Sequence, residues 1–200
     1  MTDKKTKKNT LSTSSKNTRK HVVKSKKTHE SKENMLTPRI GKVTVSIGVG
    51  EAGEKLSKAE TVLMNLTGQK PVQTRSKSTI KDWGIRRGMP IGCKVTLRGK
   101  KAYSFLEEVF KIRNNKIPDY SFDDQGNFSL GIPDHTLFKD QKYDPKIGIF
   151  GMDVCVTIER IGYRIKHRRI DPRRIPSKHA VKREETIDYI SKRFNVEVVK

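Results

Sequence analysis

The 200-residue sequence predicts an α+β fold, in which a largely antiparallel sheet carries helices packed on one face. Several short segments alternate polar and apolar residues with period two, and others repeat apolar residues at helical spacing. Consecutive strands without helical crossovers require antiparallel pairing. Basic runs flank this pattern. We therefore predict a disordered tail over 1–34, and one domain over 35–200 that contains an Arg-rich strap over 160–183.

The sequence of the first half of the domain predicts a strand, a helix and two further strands. Residues 42–49 alternate, so that Val43, Val45, Ile47 and Val49 are expected to face the core. Residues 54–67 repeat apolar side chains on one helical face, and Gly68 supplies a C-terminal stop. Residues 71–75 indicate a weak strand, and residues 91–98 alternate again. The intervening polar and basic stretch is long for a plain connection.

The second half predicts a helix over 101–113, a hairpin, a strand over 152–158 and a last helix over 184–194. The hairpin is expected because Phe122 and Phe128 flank turn residues Asp-Gln-Gly-Asn. Asn195 should end the last helix, and residues 196–199 could add an edge strand. The expected order is therefore β-α-β-β-α-β-β-β-α.

Composition favours a polyanionic partner. The chain has 44 Lys and Arg against 22 Asp and Glu, a formal net charge of +22. Residues 1–34 hold eleven basic and three acidic residues with almost no apolar ones, so this tail should be disordered alone. The sequence contains neither a membrane-spanning apolar run nor a signal-peptide pattern, so we expect no membrane and a cytoplasmic location. Cys93 and Cys155 are expected to be buried, without a zinc site or other metal.

The strap is the second concentration of charge. It holds ten basic residues against one acidic residue, Asp171, and no neighbouring acid is expected to neutralise it. Arginine grips phosphate bidentately and stacks on bases, and Pro172 and Pro176 prevent one continuous helix. An extended strap suits irregular RNA, although a solvated charged loop is the alternative. The candidate rRNA contacts are Arg164, Lys166, Arg168, Arg169, Arg173, Arg174 and Lys178.

A third candidate site is the outward face of the predicted strands. If the strands at 42–49 and 91–98 share a sheet, cations and hydroxyls gather on one side of it. These residues are Lys42, Thr44, Ser46, Lys94, Thr96 and Arg98. Such groups can contact 2′-hydroxyls and phosphates, and the lack of aromatics argues against base stacking. Ordinary solvent-facing strand residues would give the same pattern.

Two other classes of function receive less support. Residues 48–53 match G-x-G-x-x-G, but no acidic residue follows at the spacing that a dinucleotide site needs. The paired carboxylates and scattered histidines offer no catalytic arrangement, so we predict a structural protein without a cofactor. A DNA-binding protein would share the charge, but none of the predicted helices clearly presents base-reading side chains.

Several motifs in order resemble one known family. They lie at residues 45–52, 67–71, 90–99, 124–128 and 148–154. Together they resemble the universal large-subunit ribosomal protein family that binds 5S rRNA, the fifth in the universal nomenclature. The strap before the last helix and the brevity elsewhere resemble the archaeal type. The resemblance covers about residues 35–199.

The resemblance implies a monomer in the central protuberance of the ribosome, holding 5S rRNA against large-subunit rRNA. It also implies contacts with P-site tRNA and with a small-subunit head protein across an inter-subunit bridge. Gln69 and Thr96 match family contacts to 5S rRNA, whereas Ser46 stands where the family has Asn. The tRNA contact would come from the loop after residue 75. Its basic residues are Lys77, Lys81, Arg86 and Arg87.

Overall fold

The computed structural model describes residues 35–139, 141 and 143–199. The predicted tail over 1–34 lies outside the described residues. The chain divides into two compact units. The larger unit contains residues 38–159 and 180–199, and the smaller contains residues 160–179 together with the described residues before 38. The predicted boundaries of a single domain over 35–200 stay a prediction.

Within the residues that the structure describes, the bounds of seven strands and four α-helices are defined. The strands are β1 (Arg39–Gly48), β2 (Val72–Arg75), β3 (Pro90–Leu97), β4 (Lys116–Pro118), β5 (Phe128–Ile132), β6 (Met152–Glu159) and β7 (Glu197–Val199). The helices are α1 (Glu54–Thr67), α2 (Lys100–Ile112), α3 (Arg164–His167) and α4 (Arg183–Phe194). Of these four helices, α3 lies in the smaller unit and the other three lie in the larger one. The predicted helices at 54–67, 101–113 and 184–194 are confirmed to within one residue at each end.

The larger unit is built on a five-stranded sheet in the order β2-β3-β1-β6-β5, and all neighbouring strands are antiparallel. Thr44 in the central strand β1 lies opposite Thr96 in β3 and opposite Cys155 in β6. Because β3 separates β1 from β2, helix α1 connects two parallel strands that are not neighbours. The predicted α+β class with a mainly antiparallel sheet is confirmed.

One face of the sheet forms the core with the helices. Val43, Val45 and Ile47 of β1 are almost completely buried, as are Leu63 of α1 and Leu106 of α2. This burial supplies the main driving force for folding, since apolar area removed from water contributes about 25 cal/mol per Å². The alternation in β1 therefore decides which face of the sheet remains available for a partner.

The helix ends follow the residues predicted to stop them. Gly68 after α1 has φ 59°, and Asn195 after α4 has φ 53°. Glycine adopts this left-handed conformation without a steric penalty, and asparagine tolerates it better than most residues. The backbone N–H of Gly68 donates to Met64 O, which satisfies one of the last carbonyls of α1.

The predicted hairpin at 122–128 forms only in part. Asp123 N donates to Asn127 O at 2.8 Å, and Gly126 N donates to Asp123 O at 3.0 Å, which closes the turn. The arm before the turn is a single bridge between Phe122 and Phe128, not a strand. Aromatic packing holds the arms together instead, with the two phenylalanine rings 5.5 Å apart.

Two features of the larger unit differ from the sequence-based expectation. The predicted last strand exists, but β7 pairs in parallel with β4, a strand that the sequence did not indicate, in a separate two-stranded sheet. Cys155 is exposed, so its predicted burial was wrong, whereas Cys93 is buried. Both cysteines lie in alternating strands, but in β6 the inward positions belong to Val154 and Val156.

The smaller unit contains the one-turn helix α3 followed by irregular chain, as the two strap prolines predict. Arg160 is buried and its Nη1 donates to Lys178 O at 3.4 Å. His179 Nε2 lies 2.9 Å from Ile161 O, and its ring packs near Tyr163. His179 is thus held within this unit. Across the described residues, no helix is both long and apolar enough to cross a bilayer.

Candidate RNA interface

The outward face of β1 and β3 brings the predicted cations and hydroxyls together. Thr44 lies opposite Thr96, and Ser46 lies opposite Lys94, so four of these side chains form two adjacent cross-strand pairs. Side chains paired in this way lie about 5 Å apart at Cβ on the same face. Thr96 and Lys94 are exposed, while Thr44 and Ser46 are half-buried. The surface is therefore compact and points away from the core.

Arg98 extends this surface at the end of β3. Its Nη1 donates to Gly41 O at 3.4 Å, so the exposed guanidinium lies beside the bulge in β1 between Ile40 and Lys42. Gly41 lets the side chain of Glu159 lie close to the backbone of β1, because a Cβ at position 41 would lie 2.8 Å from Glu159 Cδ. The bulge shifts the register of β1 so that Lys42 lies opposite Thr157.

The same face continues onto β6 with a different charge. Asp153 lies opposite Ser46, and Cys155 lies opposite Thr44. Positive charge therefore collects on the β3 side, through Lys94 and Arg98. Among the described outward-facing residues of the five strands, none is aromatic. The face can thus offer hydroxyls and cations to ribose and phosphate, but no ring on which a base could stack.

The exposed cysteine adds no charge to this face. Partial burial of the thiol, and then the charge of Asp153, raises the pKa of Cys155, although the residue as a whole is exposed. Burial, with a smaller contribution from Glu60, raises the pKa of Cys93 to about 11. Both thiols are therefore neutral at pH 7, and Cys155 brings no thiolate near a bound phosphate.

Gln69 lies apart from the strand face. It is half-buried in the turn that leads from α1 into the edge strand β2, whose first residue, Val72, lies opposite Lys94. The structure thus places Gln69 at the β2 edge of the sheet, while Ser46 and Thr96 lie on the face itself.

The loop at 76–89 is an ordered extension of the β2–β3 hairpin. Ser76 N donates to Met89 O at 2.8 Å, and Ile80 and Ile85 exchange two backbone hydrogen bonds of 2.8 and 3.0 Å. Ile85 is buried and anchors the loop. All four predicted basic residues, Lys77, Lys81, Arg86 and Arg87, are exposed.

Trp83 at the tip of this loop is a candidate contact that the sequence reading missed. Its side chain is 71% exposed, in the turn where Gly84 N donates to Lys81 O. Tryptophan is enriched at interfaces, because its large ring packs against a partner while its N–H can make a hydrogen bond. The available signal was the only tryptophan of the chain standing between Asp82 and a turn glycine in a basic segment.

Contrary to the prediction, three arginines of the strap form ion pairs with acidic residues. Asp171 Oδ2 lies 3.2 Å from Arg168 Nη2 and 3.1 Å from Arg173 Nη2. Arg183, at the end of the run, pairs with Asp119 Oδ1 at 2.7 Å within the larger unit. Asp119 lies 64 residues before Arg183, so a count of neighbouring charges could not identify that pair, whereas Asp171 was already visible as the acidic residue of the strap. The seven predicted strap residues are all exposed.

The glycine-rich turn at 48–53 does not form a dinucleotide site. The strand after α1 pairs with the antiparallel strand β3, not with β1. The N–H groups of Val49 and Gly50 both donate to Ile91 O, at 3.0 and 2.8 Å, and are therefore not free for a pyrophosphate. No cluster of His, Cys, Asp or Glu suited to a metal ion occurs in the part of the chain that the structure describes.

Two family models and several curated proteins match this chain. The model described as "Ribosomal protein L5" matches residues 33–86, and the model for the C-terminus of the same ribosomal protein family matches residues 90–189. The chain is 54% identical over 171 residues to the "Large ribosomal subunit protein uL5" of Methanococcus vannielii, covering 84% of this chain and 94% of the relative. The proteins of the same name from Methanococcus maripaludis and Methanococcus aeolicus are 52% and 51% identical, over 84% of this chain and 95% and 94% of theirs. The chain belongs to the ribosomal protein L5 family.

Proposed function

We propose that this chain binds 5S rRNA with the outward face of its five-stranded sheet and helps to attach it to large-subunit rRNA in the central protuberance. Membership in the family makes the chain a structural constituent of the large ribosomal subunit in the cytoplasm, not an enzyme. The finer assignment of 5S rRNA as ligand comes from the family resemblance and from the chemistry of the sheet face.

One observation carries the proposal: the cross-strand pairs Thr44–Thr96 and Ser46–Lys94 form a flat polar surface without aromatics. Hydroxyls can both donate to and accept from a 2′-hydroxyl, and Lys94 offers three donors to phosphate. Such a surface recognises the shape and backbone of RNA. Ser46, which stands where the family has Asn, offers a hydroxyl that can donate and accept at the half-buried position opposite Lys94.

We also propose that the extended β2–β3 loop contacts P-site tRNA. Its four exposed basic residues and the exposed Trp83 support a nucleic-acid partner, because cations neutralise phosphates and an aromatic ring can stack on a base or ribose. The exposed strap arginines support contact with large-subunit rRNA. The contact with a small-subunit head protein is proposed from the family resemblance.

The test is binding of purified protein to 5S rRNA, to an unrelated RNA and to duplex DNA of equal length across a salt series. Thr96→Val keeps the β-branched shape of the exposed side chain and removes its hydroxyl. We expect about fivefold weaker binding to 5S rRNA, as for the loss of one hydrogen bond, with an unchanged midpoint of unfolding. The matched control is Thr61→Val, at an exposed position on α1.

Equal affinity of Thr96→Val and the parent chain for 5S rRNA would overturn the assignment of the sheet face. If all three nucleic acids lose affinity together as salt rises, charge alone explains binding and the specific role fails. A lasting advantage of 5S rRNA at high salt supports it, since sequence-independent phosphate contacts weaken most with salt.

A further inference from the structure

The strap contains a small loop that is fixed by its own acidic residue. Arg168 Nε donates to the carbonyl oxygen of Asp171 at 2.6 Å, and Arg168 Nη2 donates to its carboxylate at 3.2 Å. The same carboxylate oxygen holds Arg173 Nη2 at 3.1 Å, and Arg173 N donates to Ile165 O at 3.2 Å. Asp171 therefore closes a turn through its backbone carbonyl and contacts two guanidinium groups through one carboxylate oxygen.

The backbone of this loop indicates that the arrangement is specific. Asp171 has φ 49°, a left-handed conformation that aspartate accepts more readily than most non-glycine residues. The paired side chains are substantially exposed, at 38% for Arg168, 57% for Asp171 and 72% for Arg173. Exposed ion pairs contribute little to stability, so replacing this carboxylate should leave the fold intact.

The fixed loop presents an apolar side chain among cations. Ile170, next to Asp171, is 83% exposed, and Ile165 is 44% exposed. With Arg164, Arg168 and Arg169 they line an open depression of about 630 Å³. An apolar tip flanked by arginines is the combination that proteins use to contact an unstacked base step while cations hold the adjoining phosphates.

We propose that Asp171 is a positioning residue that holds this loop ready for an unpaired segment of RNA, with Ile170 contacting the exposed base or ribose and the arginines contacting the backbone. The inference rests on the proposed role of the strap in binding rRNA. According to this proposal, the single acidic residue of the strap strengthens binding to a polyanion. A purely electrostatic account predicts the opposite sign, because removing a negative charge should strengthen binding.

The experiment compares Asp171→Asn with Glu107→Gln, which removes the same charge from an exposed position on α2. The probes are a hairpin RNA with an internal loop of unpaired nucleotides and the same hairpin fully paired. We expect Asp171→Asn to bind the looped hairpin about tenfold more weakly than the parent chain, as for the loss of an arginine orientation fixed by charge-assisted hydrogen bonds. Glu107→Gln should bind both probes as tightly as the parent or more tightly.

A second variant, Ile170→Ser, leaves the ion pairs in place and changes only the exposed tip. It should reduce the preference for the looped over the paired hairpin while leaving the salt dependence of binding unchanged. Circular dichroism of each variant checks that the fold is retained.

The inference is overturned if Asp171→Asn and Glu107→Gln strengthen binding equally, or if Ile170→Ser keeps the full preference for unpaired RNA. These results are independent of the sheet face, because 5S rRNA binding and its sensitivity to Thr96→Val are measured separately. Loss of the advantage for 5S rRNA over duplex DNA in the parent chain would instead overturn the proposed function.

Discussion

The two cysteines show how one strand position decides the reactivity of a side chain. Cys93 faces the core and is fully buried, while Cys155 faces outward beside Thr44. The thiolate is the reactive form of cysteine, and burial disfavours it. Position on the pleat therefore separates two thiols that the sequence presents in similar alternating runs.

We predict that a maleimide reagent modifies Cys155 and not Cys93 in the folded protein. Because the pKa of Cys155 is raised, the reaction should be slow near pH 7 and should accelerate as the pH rises through the raised pKa. Bound 5S rRNA should slow the reaction if the sheet face is the binding surface. Mass spectrometry of the labelled peptides checks both statements, and modification of Cys93 at an equal rate would contradict the first.

At the scale of elements, α4 is attached to the rest of the larger unit by a buried side chain and by an ion pair. Thr186 is completely buried, and its Oγ1 donates to Gly126 O at 3.0 Å. Gly126 has φ 77°, and a Cβ there would lie 2.7 Å from Thr186 Oγ1. Arg183 at the start of α4 pairs with Asp119. The turn at 123–127 and the last helix therefore depend on each other.

Aromatic residues add to the contact between α4 and α2. The rings of Phe110 and Phe194 meet edge to face at 5.0 Å, and the hydroxyls of Tyr103 and Tyr189 lie 3.3 Å apart. Burial, together with the hydrogen bond to Tyr103, raises the pKa of Tyr189 well above its usual value. Tyr189 therefore stays neutral under ordinary conditions and can remain packed.

Thr186→Val should destabilise the protein by about 1–3 kcal/mol, because it keeps the shape of the side chain but leaves the buried Gly126 carbonyl without its donor. Urea unfolding followed by circular dichroism measures this free energy. Thr61→Val on the exposed face of α1 is the control, with an expected change within about 0.5 kcal/mol. Equal stability of Thr186→Val and the parent chain would show that the hydrogen bond contributes nothing net.

For the whole molecule, charge placement matters more than total charge. The basic residues of the strap fall into two groups, those bound inside the protein and those available to a partner. Arg183 is bound to Asp119, and Arg160 is buried. Arg169 is exposed and lines the depression beside Ile170. The two groups should respond differently when they are neutralised.

We predict that Arg169→Gln lowers the salt dependence of RNA binding by about 0.7–0.9 log units per log unit of salt, because one fewer phosphate is neutralised. Arg183→Gln removes the same formal charge but should leave this slope unchanged and lower the free energy of unfolding instead. Salt titrations of 5S rRNA and large-subunit rRNA binding, with urea unfolding of both variants, measure these effects. Identical slopes for the two variants would mean that net charge alone governs binding.

Local sequence patterns predict most of the helices and strands, the distribution of charge and the family. Alternation in residues 42–49 identified the central strand and its outward residues, and Gly68 and Asn195 identified two helix ends. These signals are readable because strand and helix periodicity and capping depend on residues only a few positions apart. The motifs that resemble the ribosomal family are likewise local.

The strand order, the parallel pairing of β4 with β7 and the partners of the charged residues are seen only in the three-dimensional structure. Strand pairing and the Arg183–Asp119 ion pair join residues that lie far apart in sequence, so local periodicity does not predict them. The outward exposure of Cys155 and the pairs Arg183–Asp119 and Thr44–Thr96 are examples. Each strand and each charged group takes the partner that lets the whole chain bury its apolar faces and satisfy its polar groups at the same time. This requirement is a property of the whole fold.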